Sequence, residues 1–279
     1  MFLLPATLFI LTFVIFPLAM ALFVSFTNAK FGVRETTIIG LRNYQNVFED
    51  YRFFNSTYVT LLFPAIAVPL EVLLGMGMAL ILNRNIKFRG ALRTIFLVPL
   101  FVSPISLSLM GQVIFYEGGG GLNGILKDLG LPAIRWRSDP TTAIFTVILL
   151  DVWMWTPFTF LITLASLQAV PKDLIEAAIV DGASDRALFR RIILPMITPA
   201  ILTISFFRIV DTLRLFEIPF TLLGGGGPGI TTETLTIYIY KTGFRGFFFG
   251  QASAISFIYL LIVSVIVMVI VQRLRRYYV

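Results

Sequence analysis

Apolar residues in this chain do not alternate with polar ones; they run together in blocks. Six blocks, near 2–26, 57–83, 94–115, 142–168, 198–222 and 251–272, each reach the ~20 residues that a helix needs to cross roughly 30 Å of hydrocarbon. The pattern predicts an all-α membrane protein with six transmembrane helices, forming one transmembrane domain over 1–279. The first block starts at Met1 with neither a basic n-region nor a small-residue cleavage site, which argues against a secretory signal peptide. Composition agrees with the pattern: 57% of residues are hydrophobic, 13% are charged, and the mean hydropathy is +0.90, outside the range of soluble domains.

Charge sets the orientation. Arg84, Lys87, Arg89 and Arg93 crowd one short loop without an acid, and Arg273, Arg275 and Arg276 follow the last block. Under the positive-inside rule these segments, both termini and the loop at 169–197 face the cytoplasm. The loops near 27–56, 116–141 and 223–250 mix bases with Glu35, Glu49, Asp50, Glu117, Asp128, Asp139 and Glu233 and face outward. The net charge of +7 is thus a membrane signature and not a nucleic-acid surface. Cysteine and histidine are absent, which removes thiolate nucleophiles, disulfides, zinc sites built on those residues and imidazole acid–base chemistry.

The inner segment 169–197 reads as helix, turn, helix. Pro171 suits a first helical turn and Asp173 the positive end of its dipole. Gly182 breaks that helix, and Ser184 opens a basic amphipathic stretch, Arg186 to Leu194, expected to lie along the membrane surface before Pro195. Glu176, Ala177 and Ala178, then Gly182, then Ile192, Leu194 and Pro195 match E-A-A-x3-G-x9-I-x-L-P at every defined position. This resembles the EAA motif of ABC importer permeases. Small alanines permit close approach by a partner, Gly182 permits a tight turn, and Glu176 offers a charge to a partner arginine.

Further segments look like the maltose-type carbohydrate subfamily: Gly40-Leu-Arg-Asn43-Tyr44, Leu122-Asn123, Leu222 to Gly229, Thr232-Glu233-Thr234 and Tyr240. The short outer loop 27–56 departs from the maltose permease subunit with its large insertion there, and is closer to compact members for glycerol phosphate, lactose or trehalose. The resemblance implies a type I ABC importer permease fold in a bacterial plasma membrane, with 169–197 as the cytoplasmic coupling loop. It implies as partners a second permease subunit, two cytoplasmic ATPase subunits that carry ATP and magnesium, an external solute-binding protein and a sugar. Glu176, Ala177, Ala178, Gly182, Leu194 and Pro195 would engage the ATPase. No cofactor or metal is expected on this chain, and no catalysis: it lacks G-x4-G-K-[ST], so a partner must hydrolyse ATP.

Intramembrane charges default to functional hypotheses. Arg208, Asp211, Arg214 and Glu217 alternate in sign at three-residue steps in the fifth block, with Asp211 about halfway along it. They fit an ion-pair ladder or groups that hydrogen-bond sugar hydroxyls. By the same resemblance, sugar-contacting positions fall on Trp153, Trp155 and Phe158 in the fourth span and on Arg208, Asp211, Thr212 and Leu215 in the fifth. Aromatic faces suit a pyranose, though membrane tryptophans also serve as packing or interface anchors. Asp151 and Glu71 are either secondary participants or paired buried acids. The same machinery importing an amino acid, polyamine or phosphate ester, a six-span secondary transporter, and an intramembrane enzyme are the competing classes. The last has neither G-x-S-x-G nor paired intramembrane aspartates. Two G-x-G-x-x-G strings, at 119–124 and 224–229, lack a βαβ context and read as turns.

Overall fold

A computed structural model describes residues 3–32, 35–84 and 86–278. The expected start of the first span at residue 2 and the Arg276 side chain lie outside the described residues. The described chain is helical, with one isolated antiparallel bridge between Thr27 and Ile38. Helix α1 is Leu4–Ser25, followed by α2, Arg42–Glu49, and α3, Tyr51–Leu82. Next come α4, Arg89–Phe101, and α5, Pro104–Ile114, then α6, Gly121–Asp128, and α7, Pro140–Gln168. Helix α8 is Lys172–Val180, α9 is Asp185–Leu213, α10 is Glu217–Leu222, α11 is Leu235–Tyr240 and α12 is Phe249–Tyr278.

Five of these, α1, α3, α7, α9 and α12, are long and apolar enough to cross a membrane. The sixth expected span, 94–115, is a bent pair: α4 and α5 meet at 97°. Pro99 and Pro104 each remove a ladder donor. Ser103, which precedes Pro104, is extended at ψ 140°, as a residue before proline tends to be.

The fifth span also differs from expectation, at both ends. Its helix begins at Asp185, so the basic stretch 186–194 is the foot of the span and not a separate surface helix. A π turn at Phe189–Ile193, closed by the Leu194 N–H donating to the Phe189 carbonyl, carries the helix past Pro195, whose missing donor falls in the first turn beyond it. At the far end the helix stops at Leu213, and α10 starts afresh at Glu217. Pro219 favours a kink or break here, because in a continuous helix its ring would clash with the Leu215 carbonyl four residues back. Asp211 therefore lies in the last turn of α9 rather than midway along a span.

Helices α3 and α7 cross at the centre of the molecule. A Cβ on Gly75 would lie 2.0 Å from Thr159 Oγ1 and 2.7 Å from the Phe160 nitrogen, so only glycine permits this approach. In a bilayer, association rests on such close packing more than on apolar burial. The Thr159 hydroxyl donates to the Glu71 carbonyl at 2.7 Å, which fixes the crossing one turn from the Glu71 side chain. Apolar packing continues toward one end through Ala79, Leu82, Phe160, Leu167 and Ile197, and toward the other through Val47, Phe53, Leu235, Tyr238 and Ile255.

Polar residues of the segments at 27–56, 116–141 and 223–250 act as clasps. The Asn43 amide donates to the carbonyls of Ser25 and Thr27, each at 2.8 Å, and tyrosine follows suit in the Tyr44–Ser25 hydroxyl pair at 2.7 Å. Asn123 receives the Trp136 indole N–H at 2.9 Å and the Ile134 N–H at 3.1 Å. Glu233, fully buried, is gripped by Arg52 Nη2 at 2.9 Å and Lys241 Nζ at 2.6 Å. Thr234 caps α11.

Candidate functional site

Three spans converge on one guanidinium. Arg208 of α9 is 1% exposed, a position too costly for an unpaired cation. Its Nε and Nη2 donate to the two oxygens of Glu71 on α3 at 2.7 and 2.8 Å, a bidentate fork. Nη2 also donates to Asp151 of α7 at 3.0 Å, and Nη1 to Asp211, one turn along α9, at 2.6 Å. The Trp155 ring covers the guanidinium, 4.4 Å from its centroid, a favourable cation–π placement. Arg214 Nη2 meets the other Asp211 oxygen at 3.4 Å.

Beside this cluster lies a cavity of about 350 Å³, lined by Asp151, Met154, Trp155, Asp211, Thr212, Arg214, Leu215, Glu217 and others. The non-helical residues between α9 and α10 form part of its wall. Irregular backbone at membrane depth is tolerated where it lines a cavity. The freed Leu215 carbonyl is satisfied by the hydroxyls of Thr234 and Thr236, both at 2.9 Å. Thr212 Oγ1, by contrast, is buried with no hydrogen-bond partner among the described residues. A buried hydroxyl left unpaired is an uncommon cost, and other atoms of Thr212 line the cavity.

The expected solute residues therefore divide. Trp155, Asp211, Thr212 and Leu215 line the cavity. Arg208 lies behind it, and Phe158, which is not among the lining residues, meets Trp155 in a T-shaped pair with ring centroids 6.1 Å apart. Trp153 is not brought to the site: two residues from Trp155, it falls on the other face of α7. It is 45% exposed and borders an apolar hollow with Leu74, Met78, Phe96 and Pro99. Asp151 and Glu71 join the cluster although the sequence left their role open. One signal was available: Asp151 precedes Trp155 by four residues and shares its helix face.

At the end of the chain that gathers Leu82, Leu167 and Ile197, α8 presents Glu176 and Ala177 outward and buries Ala178. Gly182 has φ +77° with open space where a Cβ would stand, so its glycine answers to backbone conformation and not to crowding. Its N–H donates to the Ile179 carbonyl and that of Ala183 to the Ala178 carbonyl, closing the helix in the manner of a left-handed cap. The Ser184 hydroxyl then caps α9, accepting from the Ala187 N–H at 3.4 Å. Leu194 is half-buried against Ile197 and its neighbours, and Pro195 is exposed.

Several apolar spans, one of them broken beside a polar cavity, and a capped helix pair outside them are the features of a polytopic membrane protein. The chain belongs to the family described as binding-protein-dependent transport system inner membrane component, matched over residues 71–277. It is 38% identical over 275 residues to the trehalose/maltose transport system permease protein MalF of Thermococcus litoralis, covering 98% of this chain and 92% of that one. It is 33% identical to the trehalose transport system permease protein SugA of Mycobacterium tuberculosis, covering 96% and 85%. Its fold superposes on a chain of a bacterial ABC transporter involved in import of the acidic polysaccharide alginate, with TM-score 0.86 at 24% identity, covering 99% and 94%. Family membership sets aside the secondary-transporter and intramembrane-enzyme classes.

Proposed function

We propose that this chain is the non-catalytic permease half of an ATP-driven importer that carries a saccharide delivered by an external binding protein. Sugar-carrying relatives at 33–38% identity support the solute class. The observation that carries the reading is the cavity at the α9–α10 break, lined together by Trp155, Asp211 and Thr212. Discontinuous helices framing a mid-membrane site are the common construction of transport sites. A saccharide fits these groups: its C–H face packs on the ring while its hydroxyls donate to carboxylate oxygens.

In this reading the segment 169–197 is the coupling loop, with Glu176, Ala177, Ala178, Gly182, Leu194 and Pro195 seated in a cytoplasmic ATPase subunit. Both termini lie on that same side. The α9 helix gives the loop a direct mechanical route, because one element runs from Asp185 beside the loop to Asp211 at the cavity. A second permease subunit closes the cavity from the other side, and two ATPase subunits bind ATP and magnesium.

The reading is tested in proteoliposomes containing this chain, the second permease, the ATPases and the binding protein. ATP-dependent accumulation of labelled trehalose or maltose is expected, and omission of any one component abolishes it. Accumulation by this chain alone, or of methionine in place of either sugar, contradicts the proposal.

A further inference from the structure

The charge of the cavity lining bears on which solute it takes, an inference that rests on the cavity being the solute site. Asp151, Asp211 and Glu217 line it, with Arg214 as the cation among the lining residues. Arg208 stands behind, and four of its five N–H groups are taken by Glu71, Asp151 and Asp211. Trp155 covers its face. Arg214 already shares Asp211. Four carboxyl groups thus stand against two guanidiniums. Asp151 is buried, so its charge is the least screened of those lining the cavity. Carboxylates also only accept hydrogen bonds, so an anionic solute meets three acceptor-only groups beside Arg214, the one lining guanidinium.

We propose that the cavity selects by charge, admitting neutral polyhydroxylated solutes and rejecting anionic ones such as uronates. Glu71, which does not line the cavity, acts as a positioning residue that keeps Arg208 turned away from the solute.

Because the chain contains no cysteine, single cysteines report the local field. Leu215→Cys and Met154→Cys variants of the full importer complex in nanodiscs are treated with methanethiosulfonates carrying an ethyltrimethylammonium or an ethylsulfonate group. The rates, read as mass added to this subunit, are normalised to the same reagents acting on free 2-mercaptoethanol. The cationic reagent is expected to react faster by about tenfold or more. That ratio is expected to fall in an added Asp211→Asn background, and again with Glu71→Gln. A normalised ratio at or below one overturns the proposal, as does failure of both reagents at both positions, since the cavity then receives no solute-sized ion. Protection by trehalose but not by glucuronate is the expected companion result, and equal protection by glucuronate overturns the proposal. If neither sugar protects while the charge ratio stays high, the saccharide assignment fails and charge selection stands.

Discussion

Arg208 and Asp211 form a pair, yet they differ in what their removal would do. Arg208 is enclosed by carboxylates from three helices, while the Asp211 side chain remains 42% exposed toward the cavity. Replacing Arg208 by Met strands Glu71 and Asp151 in the interior without a counter-charge, a loss of about 3–5 kcal/mol for a broken buried pair. The expected outcome is failure of the complex to assemble, checked by size exclusion and thermal unfolding in detergent. Lysine does not substitute, because the bidentate grip on Glu71 requires the planar fork. Assembly of Arg208→Met at wild-type yield would mean the cluster is not what joins α3, α7 and α9.

Among the elements, the α3–α7 crossing and the α8–α9 turn carry separate duties. Gly75→Ala pushes a methyl into Thr159 and the Phe160 backbone, and overpacking of this kind costs about 1–3 kcal/mol. A lowered unfolding temperature is expected, with a larger loss of uptake, because the same crossing positions Glu71 one turn away. Glu176→Lys reverses a charge on an exposed helix, so insertion and folding should persist. The lost interfacial pairing, about 2–5 kcal/mol, should uncouple ATP hydrolysis from uptake. Wild-type uptake with normal stimulation of hydrolysis by the loaded binding protein would contradict a coupling role.

Hydropathy located the spans because long apolar blocks have few other uses, but it placed their ends poorly where apolar residues continue through a break. Residues 215–222 are as apolar as those before them, so the block 198–222 read as one helix. The structure shows two, and Pro219 alone does not signal the break, since Pro64, Pro69, Pro157 and Pro199 lie within unbroken helices. Likewise the basic stretch 186–194 has the composition of a surface helix, and its continuity with the span depends on a π turn that no residue pattern announces. The EAA motif was legible because it combines small residues and an obligatory left-handed glycine at fixed spacing. Register with the family groups Trp153 with Trp155, while helix geometry sends them to opposite faces. The cluster of Glu71, Asp151 and Arg208 joins positions up to 137 residues apart, a separation that periodicity cannot bridge.

For the molecule as a whole, the claim is that a coupling loop at one end drives solute through a cavity at the α9–α10 break. The decisive measurement is the Asp211→Asn complex, assayed for binding-protein-stimulated ATP hydrolysis and for trehalose and maltose uptake in the same vesicles. Loss of a charged hydrogen-bond acceptor from the site should weaken solute interaction by about 1–3 kcal/mol. The account predicts normal assembly and stimulated hydrolysis, with uptake reduced at least tenfold for whichever sugar the wild type carries. Uptake with unchanged apparent affinity would show that solute does not pass through this cavity.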